Sequence, residues 1–316
     1  MFTSIQDRAY QSPKVTIVGT GQVGGTLALR IVENNLANVV LVDIVEDKPQ
    51  GLALDLMQAS AIANHDRQII GTNDYSDTKD SDIIVLTAGL PRKEGMSRND
   101  LLRMNGAIVQ DIVSKIIPLS PNTILIVVTN PLDVMTYLAW KVSNLPAHRV
   151  IGMAGILDAA RFQTFIAMAL GISTSDVQAM VLGGHGDLMV PLPRFSTING
   201  VPITDLLPEE AIASLVERTR NGGAEIVKLL KNGSAYFAPS AAAYLMVESI
   251  LGDRHRIVTA AAYLTGEYDL TDIYMGVPVQ LGRQGIEKII KLQLNEKELA
   301  TLHASANSIR ENINLL

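Results

Sequence analysis

The stretch Val15-Thr16-Ile17-Val18-Gly19-Thr20-Gly21-Gln22-Val23-Gly24 constrains the fold of this chain more than any other. A short β-branched run meets a G-x-G-x-x-G directly, and a helical pattern continues from Gly25 to about Asn34. In a strand–turn–helix setting the first glycine allows a tight turn and the second lets a pyrophosphate approach the backbone. The third lets helix and strand pack closely. The phosphates then sit at the helix amino terminus, where unpaired N–H groups and the dipole favour negative charge. A second apolar run, Val39-Val40-Leu41-Val42, ends in Asp43, nineteen residues after Gly24. An acidic side chain there accepts hydrogen bonds from both ribose hydroxyls of an adenosine and repels a 2′-phosphate, so NAD is predicted in preference to NADP. The competing account is a glycine turn in an ordinary α/β domain, with Asp43 as a capping residue.

Strand patterns continue over 68–71, 82–87, 123–128 and 149–152, with helical stretches over 51–62 and 100–117 between them. Alternation of this kind predicts an α/β fold, a doubly wound parallel (Rossmann) sheet, whose ligands bind at the carboxyl ends of the strands. Gly19, Asp43, Gly89 and Asn130 all fall at such ends. After Gly155 the pattern changes. A helix over 157–170, a strand over 178–182, a mostly helical stretch over 208–251 broken near Gly233 and Pro239, antiparallel strands over 257–264 and 274–281, and a closing helix over 296–313 capped by Asn295 predict a C-terminal α+β substrate domain. The expected boundary divides the chain into a cofactor domain, 13–154, and a catalytic domain, 155–316, without a flexible linker.

Three clusters carry chemistry. The segment from Gly89 to Arg98 places Arg92 and Arg98 on a glycine-bracketed flap behind a buried strand. A guanidinium matches a carboxylate with two parallel hydrogen bonds, so two of them suggest a small, multiply anionic substrate. Taken alone, a solvated surface loop also accounts for the segment. Asn130, between Thr129 and Pro131, can offer both a donor and an acceptor to a ligand, or serve only as a turn residue. Asp158 and Arg161 share a helix face at i, i+3, a spacing that a surface ion pair explains equally well. His185, flanked by Gly183, Gly184 and Gly186 at a strand end, is the accessible imidazole of the chain. Histidine starts near the neutral pKa a general base needs, about 6.5, and Asp158 is an available carboxylate to orient it. His65, His148, His255 and His303 read as solvated. A metal site built from His185 and Asp187 lacks a third ligand, so no metal is expected.

A net charge of −6 argues against binding to nucleic acid or an anionic membrane surface, but not against an anionic substrate held by local arginines. The absence of cysteine excludes disulfides and thiolate chemistry. The first twelve residues lack the apolar core of a secretory signal, and no run is long enough to span a membrane. A cytoplasmic protein with a frayed amino-terminal extension is expected. Helices as apolar as 156–170 need more cover than one chain provides, which predicts a homo-oligomer, a homotetramer with a homodimer as the alternative.

From Lys14 to the closing helix the chain resembles the lactate/malate dehydrogenase superfamily, and within it the lactate-dehydrogenase-like malate dehydrogenases of bacteria. The resemblance rests on Gly19 to Gly24, Gly89 to Arg98, Val128-Thr129-Asn130-Pro131-Leu132-Asp133, Leu157-Asp158-Ala159-Ala160-Arg161-Phe162 and Gly183 to Asp187, in this order and spacing. It implies that His185 takes the hydroxyl proton of malate as hydride leaves for NAD, and that Asp158 fixes and stabilises the imidazole. By the same resemblance Arg161 grips the C1 carboxylate, Arg98 polarises the C2 carbonyl, and Asn130 binds the substrate oxygen. Arg92, where relatives acting on lactate carry Gln, selects a C4 carboxylate. Cofactor contacts are implied for Gly19, Thr20, Gly21, Gln22, Val23, Gly24, Asp43, Asn105, Val128, Thr129 and Asn130. The implied role is NAD-dependent interconversion of malate and oxaloacetate in the citric acid cycle. Other readings stay open: a lactate or other 2-hydroxyacid dehydrogenase, or a dinucleotide-sensing module without turnover. A methyltransferase with the same glycine turn gives no reason for His185 with three arginines.

Overall fold

In a computed structural model, residues 12–91 and 98–316 are described, apart from the side chain of Arg98. The amino-terminal extension expected ahead of Pro13 lies almost wholly outside them. The first half runs β1 (Lys14–Val18), α1 (Gln22–Glu33), β2 (Asn38–Val42), α2 (Lys48–Ala63), β3 (Ile69–Thr72), β4 (Ile83–Leu86), α3 (Arg98–Ile116), β5 (Ile124–Val127), α4 (Leu132–Ser143) and β6 (Val150–Gly152). These strands are apolar on both faces because helices cover both faces. Ile17, Leu41, Val85 and Ile126 are wholly buried along successive strands, and burial of each such side chain contributes roughly 1.5–3 kcal/mol.

The second half contributes α5 (Gly155–Leu170), β7 (Val177–Gln178), β8 (Val181–Gly183), β9 (Met189–Pro191), β10 (Thr197–Ile198), β11 (Val201–Pro202), α6 (Glu209–Leu230), α7 (Phe237–Leu251), β12 (Arg256–Thr265), β13 (Thr271–Gly282), β14 (Gly285–Ile289) and α8 (Glu296–Ile313). Asn295 caps α8 in a capping box with Glu298, as its place in the sequence predicts.

One sheet carries the molecule, in the order β3-β2-β1-β4-β5-β6-β12-β13-β8-β9, with β14 beside β13. The first six strands are parallel and reverse direction of winding between β1 and β4. That switch point opens a crevice beyond the carboxyl ends of both strands. The sheet then continues into the second half through an antiparallel contact, Gly152 opposite Ala261. A β-carbon on Gly152 would sit 2.7 Å from both Ala261 Cβ and Thr136 Oγ1, so only glycine fits this junction. A smaller sheet, β11-β10-β7, packs with α5 and α6 around Phe162, Ile166, Val177 and Leu215.

Three expectations are corrected. The strand expected over 178–182 is two strands in different sheets, because the chain steps across at Ala179-Met180 between β7 and β8. Pro239 does not break a helix. It lies in the first turn of α7, where a missing N–H costs nothing, and the break falls between Leu230 and Phe237. His65, expected to be solvated, is only 4% exposed despite its polar neighbours Asn64 and Asp66.

Candidate active site

The glycine turn is built by contacts that leave no choice of residue. Gly19 has φ +104°, and a β-carbon on it would lie 2.6 Å from the Ala88 nitrogen. A β-carbon on Gly24 would overlap the Gly19 carbonyl oxygen, so α1 and β1 pack at glycine distance. Thr87 Oγ1 holds the turn from the neighbouring strand by donating to the Val18 and Gly19 carbonyls at 3.1 and 2.9 Å. Gly21 differs. It is the N-cap of α1, no side chain caps the helix there, and a β-carbon on it would meet nothing within 4 Å. Open space over uncapped helix N–H groups is the cradle a pyrophosphate requires, so the residues fit a dinucleotide.

Asp43 stands beside this cradle at the end of β2. Its Oδ2 accepts from the Thr20 N–H at 2.7 Å and from Thr20 Oγ1 at 2.6 Å, and its Oδ1 accepts from the Val45 N–H at 3.1 Å. Burial pushes this carboxyl upward, but the Thr20 and Val45 bonds and nearby Lys48 outweigh it and hold the pKa below the ordinary value. The group is therefore anionic at neutral pH. Asn130 follows β5 with its side chain exposed, and its carbonyl accepts from Asn105 Nδ2 at 2.7 Å. Thr129 is buried and donates to the Ala88 carbonyl at 2.6 Å, and Val128 is half-buried next to it. Gln22 is exposed and Val23 half-buried at the start of α1.

Asn105 bridges these strand ends. Its amide is spent on the Leu90 N–H, the Leu90 carbonyl and the Asn130 carbonyl, at 2.8, 3.2 and 2.7 Å. It ties the segment after β4 to the segment after β5. Arg92 and the side chain of Arg98 lie outside the described residues.

The second half brings His185, Asp158 and Arg161 together. His185 Nδ1 lies 2.9 Å from Asp158 Oδ2, and Arg161 Nη1 donates to Asp158 Oδ1 at 3.3 Å. The Asp158 side chain is only 3% exposed, so the pairing is no surface ion pair. With Asp158 accepting, Nδ1 carries the proton and Nε2 is left as the nitrogen for a substrate hydroxyl. Burial pulls the imidazole pKa down, yet the charge and hydrogen bond of Asp158 prevail and raise it above the ordinary value. Arg161 Nε is buried with no partner among the described residues. A half-buried guanidinium with an unspent donor is suited to a carboxylate.

Sequence reasoning passed over several residues that shape the site. A β-carbon on Gly222 would lie 3.3 Å from Arg161 Cδ and one on Gly223 3.4 Å from Arg161 Nη2, so this pair in mid-α6 lies along the Arg161 side chain. Its signal was legible, since two glycines inside a helix cost about 1 kcal/mol each relative to alanine. Asp133 is 5% exposed, and its Oδ2 accepts from the His185 backbone N–H at 2.8 Å. An acid in the apolar run Leu132-Asp133-Val134-Met135 was the available clue. Among the described residues, the group best placed to hold a metal is not here but at Asp253, His255 and Glu287, where the imidazole is already paired with both carboxylates.

Known proteins share this sequence and fold. The profile described as lactate/malate dehydrogenase, NAD binding domain, matches residues 13–152, and that described as lactate/malate dehydrogenase, alpha/beta C-terminal domain, matches residues 156–316. The malate dehydrogenase of a Nostoc species is 60% identical over 301 residues, covering 95% of this chain and 93% of the relative. The structure of malate dehydrogenase from Salinibacter ruber is 47% identical with a TM-score of 0.92, covering 96% of this chain and 97% of that one. The structure of lactate dehydrogenase from Cryptosporidium parvum, complexed with lactic acid and nicotinamide adenine dinucleotide, is 40% identical with a TM-score of 0.94, covering 96% and 98%. The chain belongs to the lactate/malate dehydrogenase family.

Proposed function

We propose that this chain is an NAD-dependent dehydrogenase that interconverts (S)-malate and oxaloacetate in the citric acid cycle. The observation that carries the reading is the His185–Asp158–Arg161 set, 2.9 and 3.3 Å apart around a buried Asp158, borne by α5 and by the turn after β8, a strand of the same sheet as β1. The identity to malate dehydrogenases supports the substrate. NAD would be held by the turn from Gly19 to Gly24, with Asp43 at the adenosine ribose and Val128, Thr129 and Asn130 beside the nicotinamide; bound there, it supplies the acceptor for hydride.

The chain's own groups do the rest. His185 Nε2 takes the C2 hydroxyl proton of malate and returns it to the carbonyl oxygen of oxaloacetate. Asp158 keeps the imidazole in the tautomer with Nδ1 protonated and stabilises its cation. Arg161 fixes the C1 carboxylate, Asn130 holds the substrate oxygen, Arg98 polarises it, and Arg92 receives the C4 carboxylate. The same reading divides the chain into a cofactor half, 13–154, and a substrate half, 155–316. Exposed apolar side chains on α2 and α5, among them Leu54, Ile62 and Met168, favour a homo-oligomer, which we take to be a tetramer. No helix among the described residues is long and apolar enough to cross a membrane, and the cytoplasmic location expected from the sequence belongs to the same proposal.

Following NADH oxidation with oxaloacetate beside pyruvate tests this directly. Preference for oxaloacetate is expected; preference for pyruvate would favour a lactate dehydrogenase, and no turnover of either would favour a binding module.

A further inference from the structure

The loop that presents His185 is held by more than the imidazole's own partner. Two consecutive amide hydrogens, those of Gly184 and His185, are each taken by a buried side chain from a different helix. Gly184 N–H donates to Ser305 Oγ of α8 at 3.0 Å, and His185 N–H donates to Asp133 Oδ2 of α4 at 2.8 Å. Ser305 Oγ in turn donates to the Leu188 carbonyl at 2.7 Å, closing the loop on its far side. There is no slack between these holds. A β-carbon on Gly184 would lie 3.0 Å from Leu188 Cβ and Ile309 Cδ1, and 3.3 Å from Asp133 Oδ2.

We infer that Asp133 and Ser305 are positioning residues for the reaction: by clamping the two successive peptides that lead into His185, from α4 and α8, they set where the imidazole stands relative to the substrate oxygen. This rests on the dehydrogenase reading above. Asp133 is three residues beyond Asn130, so the segment that would hold the substrate oxygen also holds the backbone of the base. Asp158, on α5, fixes the ring itself. His185 is thereby triangulated from three helices, one for the ring and two for the backbone.

The chemistry of Asp133 speaks against a merely space-filling role. Burial, opposed by the His185 amide and ring and reinforced by Asp158, raises its carboxyl from 3.8 to about 6. Its Oδ1 is buried without a partner among the described residues. An apolar side chain of that size avoids both costs. What an apolar residue cannot do is accept the His185 N–H.

The test uses Asp133→Ala, Asp133→Asn and Ser305→Ala in the full chain. The readouts are kcat and KM for oxaloacetate, with NADH affinity by fluorescence titration on the same samples. Displacement of a reacting group by about 1 Å costs on the order of 100-fold, so Asp133→Ala is expected to lower kcat by about 30-fold or more at unchanged NADH affinity. Asp133→Asn keeps an acceptor oxygen and is expected to recover most of that loss, and Ser305→Ala to lower kcat by about fivefold. Asp133→Ala that binds NADH normally and turns over at close to the wild-type rate overturns the inference. So does Asp133→Asn as slow as Asp133→Ala, which would assign the effect to charge. If Asp133→Ala does not fold, Ser305→Ala decides, since a kcat unchanged at normal NADH affinity removes the clamp. Wild-type protein inactive on both malate and oxaloacetate would overturn the dehydrogenase reading itself, whereas active wild type with insensitive variants overturns only this inference.

Discussion

Gly21→Ala and Gly24→Ala separate two tasks that the glycine turn performs at once. At Gly21 the backbone, φ −72° and ψ −172°, is open to any residue, and a β-carbon would meet nothing within 4 Å. The methyl should therefore leave the stability of the free protein within about 0.5 kcal/mol. It would, however, occupy the space over the uncapped N–H groups of α1. Moving a pyrophosphate off that surface forfeits one or two hydrogen bonds to a charged group, at about 1.5–3 kcal/mol each. A loss of about 2–4 kcal/mol corresponds to roughly 30- to 1000-fold weaker NADH binding. At Gly24 the same methyl would overlap the Gly19 carbonyl oxygen and approach Thr87 Oγ1 at 3.1 Å. Helix and strand must part, at about 1–3 kcal/mol, set against about 1 kcal/mol of gained helix propensity. Thermal melts without cofactor and fluorescence titration with NADH read the two effects separately. Gly21→Ala should melt like wild type and bind poorly, whereas Gly24→Ala should melt lower. If Gly21→Ala binds NADH as wild type does, the phosphates do not lie over residue 21 and the cradle has been misread.

Three further outcomes follow from the site. Asp158→Asn removes the counter-charge of His185 and Arg161; opposite charges 4 Å apart at an effective dielectric of 20 are worth about 4 kcal/mol. The imidazole pKa, now above its ordinary value, should fall below it. Oxaloacetate reduction, which needs the imidazolium, should then drop by about 100-fold or more at pH 7 and recover partly towards pH 5. A loss independent of pH would contradict this. On the proposed role of Arg92 as the partner of the C4 carboxylate, Arg92→Gln should shift preference towards pyruvate by two to four orders of magnitude, since losing one partner of a charge pair closed off from water costs about 3–5 kcal/mol; unchanged kcat/KM ratios would remove Arg92 from the selector role. Asp133 has a folded pKa raised from 3.8 to about 6, so its contribution to stability is complete below pH 3.8 and declines as pH rises through 6. At about 1.36 kcal/mol per pH unit the decline totals about 3 kcal/mol. Asp133→Asn should therefore gain on wild type by about 2–3 kcal/mol between pH 4 and pH 7 in guanidinium unfolding, and parallel profiles would refute the assignment.

Local patterns made much of this molecule legible in advance. β1, the glycine turn and Asp43 are marked by period and turn chemistry within a single short stretch, and the capping box of α8 by residues three apart. His185 stood out by its glycines. What could not be read was which distant groups share a space. Asp158 and Arg161 have the spacing of a surface pair, and only the tertiary packing reveals that Asp158 is buried, with Arg161 half-buried against Gly222 and Gly223 of α6. Asp133 lies 52 residues from the amide it accepts. Asn105 sits on α3, and its partners are the backbone groups of Leu90 and Asn130, 15 and 25 residues away. The flanks of His65 suggest solvent, and tertiary packing overrides them. The strand pairing that joins the two halves, Gly152 with Ala261, is announced by no periodicity.

That junction has a further consequence. Because the strands of the two halves pair into a single sheet at Gly152 and Ala261, the glycine cradle and the turn that carries His185 stand on one continuous framework. The separation between the proton acceptor and the place where hydride is received is set once, when the chain folds. Any discrimination among acids must then come from the connections that overhang this chassis, which are free to change sequence without retuning the distance on which the transfer depends.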